Sequence, residues 1–176
     1  MSAKYEFVPG DTITIAPGRT LKRIRALATI AVAGVAPGNL GGYVESETNL
    51  AQVSGDAWVS GDAWVYGDAQ VSGDAWVSGD AQVSGDAWVS GDAWVYGDGL
   101  IFWASKVGSE NGTLTVYNTK DNTLQVTRGC FVGSVDEFLE ASERKHDDDT
   151  RLEYRLLIEI AHSRITRARA KLEADQ

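Results

Sequence analysis

The chain has very few of the residues that disulfides, metal sites and catalytic centres use. It contains one cysteine, Cys130, and two histidines, His146 and His162, among 176 residues. A single cysteine excludes an intrachain disulfide and favours a reducing compartment, and its apolar neighbours in GCFVG predict a buried side chain. Two histidines from one chain cannot form a three-histidine zinc site. We therefore expect no metal and no cofactor.

Long apolar runs and a secretion signal are also missing. The longest apolar-leaning run, residues 26–36, is too short to span a bilayer. The opening residues MSAKYEFVPGD contain no apolar signal core. We expect a soluble cytoplasmic protein that does not enter a membrane.

Positive charge is nearly absent from the middle of the chain. The net charge is −9, and residues 45–110 hold eleven acids against Lys106 as the only base. Phosphate binding requires clustered cations, so a nucleic-acid groove is not expected there. Residues 151–171, in contrast, hold six bases against Glu153 and Glu159. The basic end could bind phosphate.

A six-residue repeat dominates the sequence. The phrase A-x-V-[S/Y]-G-D occurs eight times without a gap between residues 51 and 98, with a valine every six residues from Val53 to Val95. Glycine every sixth residue excludes a helix, whereas the A-x-V triplet fits a short strand with alanine and valine on one side. Each S-G-D then turns the chain. Ile101 and Val107 keep the same phase, so we expect about ten repeats.

Three such corners close an eighteen-residue coil made of three repeats, which predicts a parallel β-helix with a triangular section and an interior of valine and alanine. Each buried valine contributes about 1.5–3 kcal/mol. The sequence divides into an N-terminal β cap and lead-in coil at residues 1–50, the β-helix at 51–110, and a C-terminal hairpin with helices at 111–176. The turns that delimit the cap are expected at Pro9–Gly10 and Pro17–Gly18.

The slot before each valine varies between tryptophan and glutamine. With three repeats per coil, one face stacks Trp58, Trp76 and Trp94, whereas the other faces are mixed, with Gln52, Gln70 and Trp88 in one column. Three exposed indoles would form an apolar surface for self-association or for a foreign partner. Alternatively, they only stabilise neighbouring strands, by about 0.2–1 kcal/mol per pair.

The aspartates also stack in columns: Asp56 with Asp74 and Asp92, Asp62 with Asp80 and Asp98, and Asp68 with Asp86. Adjacent carboxylates at about 4.8 Å repel by roughly 0.9 kcal/mol even in water. Turn hydrogen bonds made by each aspartate are the simplest compensation. Bridging cations and a basic partner remain alternatives.

The C-terminal segment shows two helix starts. Ser134 and Glu137 in SVDE form a capping box, and Thr150 with Glu153 marks a second start. In the second helix, a stripe is expected to pack over the hairpin or against a sister chain; its members are Leu152, Leu156, Ile160, Ala168 and Leu172.

The motif V-S-G-D-A-W fits the hexapeptide pattern of left-handed parallel β-helices. With the flanks LKRIRAL, GNLGGYVE and GCFVGSVDEFLE, the chain resembles uncharacterised hexapeptide-repeat proteins encoded by bacteriophages and prophages. The resemblance implies a phage accessory protein. Proteins of similar architecture commonly form trimers through their flat faces, so we expect a homotrimer, located in the host cytoplasm. Those relatives often carry asparagine at the corners and arginine in the outward slot, whereas this chain has aspartate and tryptophan or glutamine.

Hexapeptide-repeat acyltransferases use a histidine base and a loop that interrupts the coils. Here both histidines lie outside the repeat and the repeat is uninterrupted, so we expect no enzyme. The expected function is a phage-type binding protein that sequesters or blocks a host factor in counter-defence. One alternative is a sponge for an anionic nucleotide, held by Arg23, Arg25, Arg164 and Arg167 with aromatic rings; the other is a virion or scaffold component.

Overall fold

The structure is a computed structural model that describes residues 3–16, 18–97 and 99–175. Within these ranges the chain forms fourteen strands, two short 3₁₀ turns and two α-helices. The strands are β1 (Tyr5–Ala16), β2 (Arg19–Ala26), β3 (Leu40–Val44), β4 (Trp58–Val59), β5 (Trp64–Val65), β6 (Gln70–Val71), β7 (Trp76–Ser78), β8 (Gln82–Val83), β9 (Trp88–Val89), β10 (Trp94–Tyr96), β11 (Ile101–Val107), β12 (Gly112–Asn118), β13 (Leu124–Arg128) and β14 (Phe131–Ser134). The 3₁₀ turns are Ala31–Ala33 and Glu47–Asn49, and the helices are α1 (Val135–Lys145) and α2 (Asp148–Ala174).

The repeat forms a β-solenoid whose strands stack in parallel. Strands β4, β7 and β10 form one face, β3, β5 and β8 a second, and β6 and β9 a third. Val59 pairs with Val77 and Val77 with Val95, so valines three repeats apart lie over one another. The predicted coil of three repeats is therefore confirmed.

The interior of the solenoid is lined by the alanine and valine of each repeat. Every alanine from Ala57 to Ala93 and every valine from Val59 to Val95 in the repeat is at most 2% exposed. The outward slot differs, since Gln70 and Gln82 are exposed. Alternation along two-residue strands thus separates the core from the surface, as the period-two pattern predicts.

Glycine is required at the corners for two reasons. Gly73 has φ +67°, a left-handed conformation that side chains disfavour. A Cβ at this position would also lie 2.6 Å from the backbone nitrogen of Gly91, in the next coil. The coils can approach at strand spacing only because no side chain is present at this corner.

The solenoid core begins earlier than the repeat, and in a different register. Val44 pairs with Val65, and Leu50 forms a bridge with Val71. The two members of each pair are further apart in sequence than Val59 and Val77, which are three repeats apart. Both Val44 and Leu50 are fully buried, whereas Val53 is 59% exposed. The expectation that Val53 starts the inner valine column is wrong, because three additional residues between Leu50 and Ala57 push it out of the coil.

The N-terminal cap is a sheet that continues one face of the solenoid. Strand β3 pairs antiparallel with β2 and parallel with β5, so it joins the β1–β2 hairpin to the coils. Strand β1 runs through Pro9 and Gly10, with an irregular register between Phe7 and Thr12. The turn expected at Pro9–Gly10 is therefore wrong. The turn expected at Pro17–Gly18 includes Pro17, which lies outside the described residues.

The other end of the solenoid is covered by an antiparallel sheet of β11, β12, β13 and β14. Ile101 and Val107 were expected to continue the repeat, but both belong to β11, which pairs antiparallel with β12. That expectation is wrong. The sheet contacts the last coil through a bridge between Ala93 and Thr119, and it covers strands that would otherwise form an open edge.

Helix α1 begins at the predicted capping box: Ser134 Oγ accepts the Glu137 N–H, and the Glu137 carboxylate accepts the Ser134 N–H. Helix α2 begins one turn earlier than expected, because Asp147 rather than Thr150 caps it and accepts the Thr150 N–H.

The buried face of α2 differs from the expected stripe. Tyr154, Ile158, Ala161 and Ile165 are buried, and Ala168 and Leu172 pack partly against the core. Leu152, Leu156 and Ile160, however, are about half exposed. Packing over the hairpin is therefore wrong for these three residues, since they lie on the outer side of the helix. The alternative, packing against a sister chain, stays a prediction.

Candidate ligand-binding cleft

The tryptophan column exists, but only part of it reaches the surface. Trp58 pairs with Trp76 and Trp76 with Trp94, and the rings of Trp76 and Trp94 stack with centroids 6.4 Å apart and planes 16° apart. Trp58 is fully buried. A Cβ at Gly41 would lie 2.8 Å from the Trp58 ring, so the cap packs directly on this indole. The expected surface of three exposed indoles is therefore wrong at Trp58.

The two exposed indoles are also not equivalent. Trp76 is half-buried and its Nε1 donates to Ser60 Oγ at 2.8 Å, whereas Trp94 is 36% exposed. Tyr96, two residues further on, is 47% exposed. The aromatic surface lies at the C-terminal end of this face, next to α2.

The aspartate columns use several kinds of contact. The backbone N–H of Asp56 donates to Asp74 Oδ1 at 3.0 Å, so the Asp74 carboxylate accepts a hydrogen bond from the preceding coil rather than from its own turn. Asp92 forms an ion pair with Lys120 at 3.0 Å. Asp98 lies outside the described residues. Among the described residues, no group of histidine, cysteine and acidic side chains has the arrangement of a metal site.

The four arginines proposed for an anionic ligand are split between two parts of the molecule. Arg23 forms an ion pair with Asp11 at 3.3 Å and lies over the Tyr43 ring at 4.6 Å, while Arg25 pairs with Glu6. These two arginines are engaged within the N-terminal sheet. Arg164 and Arg167 instead line a cleft between α2 and the last coils. The structure does not bring the two pairs together.

The cleft has a volume of about 690 Å³ and two chemically different walls. One wall is α2, which contributes Arg164, Arg167 and Lys171. The other wall comes from the solenoid and β11, and includes Gln82, Tyr96 and Trp103. Asp80 and Asp175 also line the cleft. Among the described residues, Arg164, Arg167 and Lys171 form no ion pair.

The position of α2 over this cleft is fixed by Arg169. Its guanidinium donates to Asn118 Oδ1 at 2.6 Å and to the Thr123 carbonyl oxygen at 3.1 Å. Burial lowers the pKa of Arg169. Arg169 thus attaches the last turns of the helix to the β12–β13 hairpin and leaves the neighbouring cations directed to the cleft.

Sequence reasoning missed Lys171, Tyr96 and Trp103. Arg167 follows Arg164 by three residues and Lys171 follows Arg167 by four, which places all three on one helix face, so the spacing could have revealed Lys171. Trp103 occurs outside the A-x-V triplets and had no signal, because its position depends on how β11 leaves the solenoid.

The two histidines and the cysteine all lie in the C-terminal part of the chain. His146 terminates α1 and its ring meets Tyr154 edge to face at 5.5 Å, while His162 is exposed on α2. Cys130 is exposed in the turn between β13 and β14. The expectation that Cys130 is buried is wrong, because the GCFVG segment reverses direction at this residue.

A family described as YdcK Beta solenoid repeat matches residues 51–67 and 81–97. The match agrees with the stacked coils and identifies the repeat as a β-solenoid repeat. A search of the curated proteins finds no match. Neither α-helix of the described residues has an apolar stretch of the length that a membrane crossing requires.

Proposed function

We propose that this protein is a non-catalytic binding protein that sequesters an anionic nucleotide in the cleft beside α2. The single observation that carries the proposal is the arrangement of Arg164, Arg167 and Lys171 on one helix face, opposite Trp103 and Tyr96. The proposal also includes the left-handed β-helix and the phage origin to which the sequence resemblance points. In this proposal the protein acts in counter-defence in the host cytoplasm.

The cationic wall suits phosphate groups. Arginine presents a planar fork of donors that matches phosphate oxygens, and lysine adds a point charge. Arg164, Arg167 and Lys171 are all exposed, so their contacts with an anion are expected to weaken as salt rises. The acidic solenoid around the cleft confines phosphate binding to the α2 side.

The aromatic wall suits a base. Stacking of a base on an aromatic side chain contributes about 1–3 kcal/mol. Trp103 is half-buried and Tyr96 exposed, so both rings present a surface to the cleft. Asp80 and Asp175 in the cleft lining can accept hydrogen bonds from ribose hydroxyls or base amino groups. The volume of about 690 Å³ lies within the usual range for small-molecule sites.

Calorimetric titration with cyclic mono- and dinucleotides and ADP-ribose-type compounds tests the proposal. A binder is expected within this panel, and Arg164→Ala with Lys171→Ala should weaken it by roughly tenfold or more, because two charged contacts are lost. Trp103→Ala should weaken it by about tenfold through lost stacking. Arg144→Ala is the matched control, because Arg144 is an exposed α1 cation and its loss should leave affinity unchanged.

A host protein is the second candidate ligand, favoured by the exposed Trp94 and Tyr96 beside α2. The two candidates are separable. Absence of heat across the whole nucleotide panel would overturn the first. Retention of one defined bacterial protein by the wild-type chain, and its loss in Trp94→Ala, would support the second.

A further inference from the structure

The outer face of α2 carries an apolar stripe that nothing in the described chain covers. Leu152, Leu156 and Ile160 are 51%, 49% and 48% exposed, although the opposite face of the same helix is buried in the core. The three residues follow one another at spacings of four, so they lie in one row along the helix surface. A row of half-exposed branched side chains is typical of a contact surface rather than of a solvated helix face.

Charge is distributed asymmetrically around this stripe. Before it, residues 147–149 are three consecutive aspartates; after it come Arg164, Arg167 and Lys171. Asp149 and Arg167 are exposed, and among the described residues neither takes part in an ion pair. The helix therefore offers an acidic end, an apolar middle and a basic end on its outer side.

This order is self-complementary only when two helices run antiparallel. A two-fold axis at the level of Ile158 places Leu156 opposite Ile160 of the second copy, since each lies two residues from the axis. The same axis places Asp149 opposite Arg167, since each lies nine residues from it. Spacings of seven, four and seven residues between Asp149, Leu156, Ile160 and Arg167 keep all four on one side of the helix.

The parallel arrangement fails on electrostatic grounds. It would place Asp149 beside the second copy's own acidic turn and Arg167 beside the second copy's basic end. Like charges at contact distance oppose association, whereas the antiparallel arrangement forms two opposite-charge pairs by symmetry.

We propose that two copies of this chain associate through antiparallel pairing of α2, with Leu152, Leu156 and Ile160 in the contact and Asp149–Arg167 ion pairs on either side. The contact is small, so the dimer is weak, with a dissociation constant on the order of 10 µM. The pairing does not depend on a nucleotide. The same axis places Leu152 opposite Arg164 of the second copy, and Arg167 belongs to both proposals. Lys171 and Trp103 lie outside the contact, so Lys171→Ala and Trp103→Ala test the ligand site without changing the pairing, and the two proposals can fail separately.

Sedimentation equilibrium of the full chain tests the pairing. The average mass of the wild-type protein should rise from that of one chain to that of two chains across a concentration range that brackets the expected dissociation constant. Leu156→Glu should raise the dissociation constant by at least tenfold, because it buries a carboxylate at the centre of the contact. Leu27→Glu is the matched control, since Leu27 is equally exposed but lies in the N-terminal part of the chain; it should leave the mass unchanged.

Exchanging the charges of Asp149 and Arg167 tests the register of the two helices. This test does not depend on whether Leu156→Glu folds. Asp149→Lys alone and Arg167→Asp alone should each weaken the dimer several-fold, since each creates two like-charge contacts. The double variant Asp149→Lys with Arg167→Asp should restore most of the wild-type affinity. Far-UV circular dichroism checks that each variant keeps its helices.

Three results would overturn the proposal. A monomer at every concentration would remove the contact altogether, and additive weakening in the double charge variant would exclude the antiparallel register. A trimer whose mass is unchanged by Leu156→Glu would point instead to the face of Trp76 and Trp94, in agreement with the trimer expected from the sequence.

Discussion

At the residue scale, the same residue type has different roles at equivalent repeat positions. Val53 and Val77 occupy the same place in the six-residue phrase, but Val53 is 59% exposed and Val77 is fully buried. Trp58 and Trp94 differ in the same way. The repeat phrase determines which side of a strand a residue faces, but whether that side is covered depends on what packs at the ends of the solenoid.

The two valines give a direct test. Val77→Ala should lower the free energy of unfolding by about 2–3 kcal/mol, because two buried methyl groups are removed and the coil cannot collapse around the space. Val53→Ala should change it by less than about 0.5 kcal/mol. Urea unfolding followed by circular dichroism measures both, and equal losses would contradict the register described here.

At the element scale, local signals predicted helix starts better than helix faces. The capping box at Ser134 and Glu137 was predicted and confirmed, because all of its hydrogen bonds lie within four residues of sequence. The buried face of α2 was predicted wrongly. Its outer side carries Leu152, Leu156 and Ile160, while Tyr154 and Ile158 face the core. When a helix has two apolar faces, sequence periodicity does not show which of them is buried.

The capping box predicts a pH dependence. Hydrogen bonds from the Ser134 backbone N–H and hydroxyl lower the pKa of Glu137. The stabilisation is therefore complete above the ordinary carboxyl pKa of about 4.3 and is lost as pH falls through the lowered folded-state value. In thermal melts from neutral pH down to about pH 3, Glu137→Gln should lose less stability on acidification than the wild type. Glu140→Gln, an exposed α1 control, should behave like the wild type.

At the scale of the whole molecule, the solenoid depends on its two ends. The N-terminal sheet covers Trp58, and the C-terminal sheet supplies side-chain partners to the last coil. Thr127 Oγ1 donates to the Trp88 carbonyl oxygen at 2.5 Å, and the Tyr117 hydroxyl accepts the Ser90 N–H at 3.3 Å. These contacts satisfy backbone groups that a further coil would otherwise bind, so they end the parallel stacking.

Removing those partners should weaken the whole fold. Thr127→Val with Tyr117→Phe keeps the shape of both side chains but leaves two backbone groups of the last coil unpaired, at a cost of roughly 1–3 kcal/mol each. Thr113→Val is the control, because the Thr113 hydroxyl bonds Ser105 at the surface. Denaturant unfolding measures the difference, and exposed coil edges should also increase aggregation. Equal stability of the double variant and the control would contradict this role of the sheet.

The sequence by itself determined the parts of this protein in which every step is local or repeats. These are the coil of three repeats, the inward valines and alanines, the glycine corners and the first helix cap. The three-residue offset between Leu50 and the repeat is visible in the sequence, but only the tertiary structure decided that Val53 is left outside the coil and that β11 leaves the solenoid. It also decided that Arg164, Arg167 and Lys171 line the same cleft as Trp103 and Tyr96, since the cleft joins segments that are far apart along the chain and share no sequence signal.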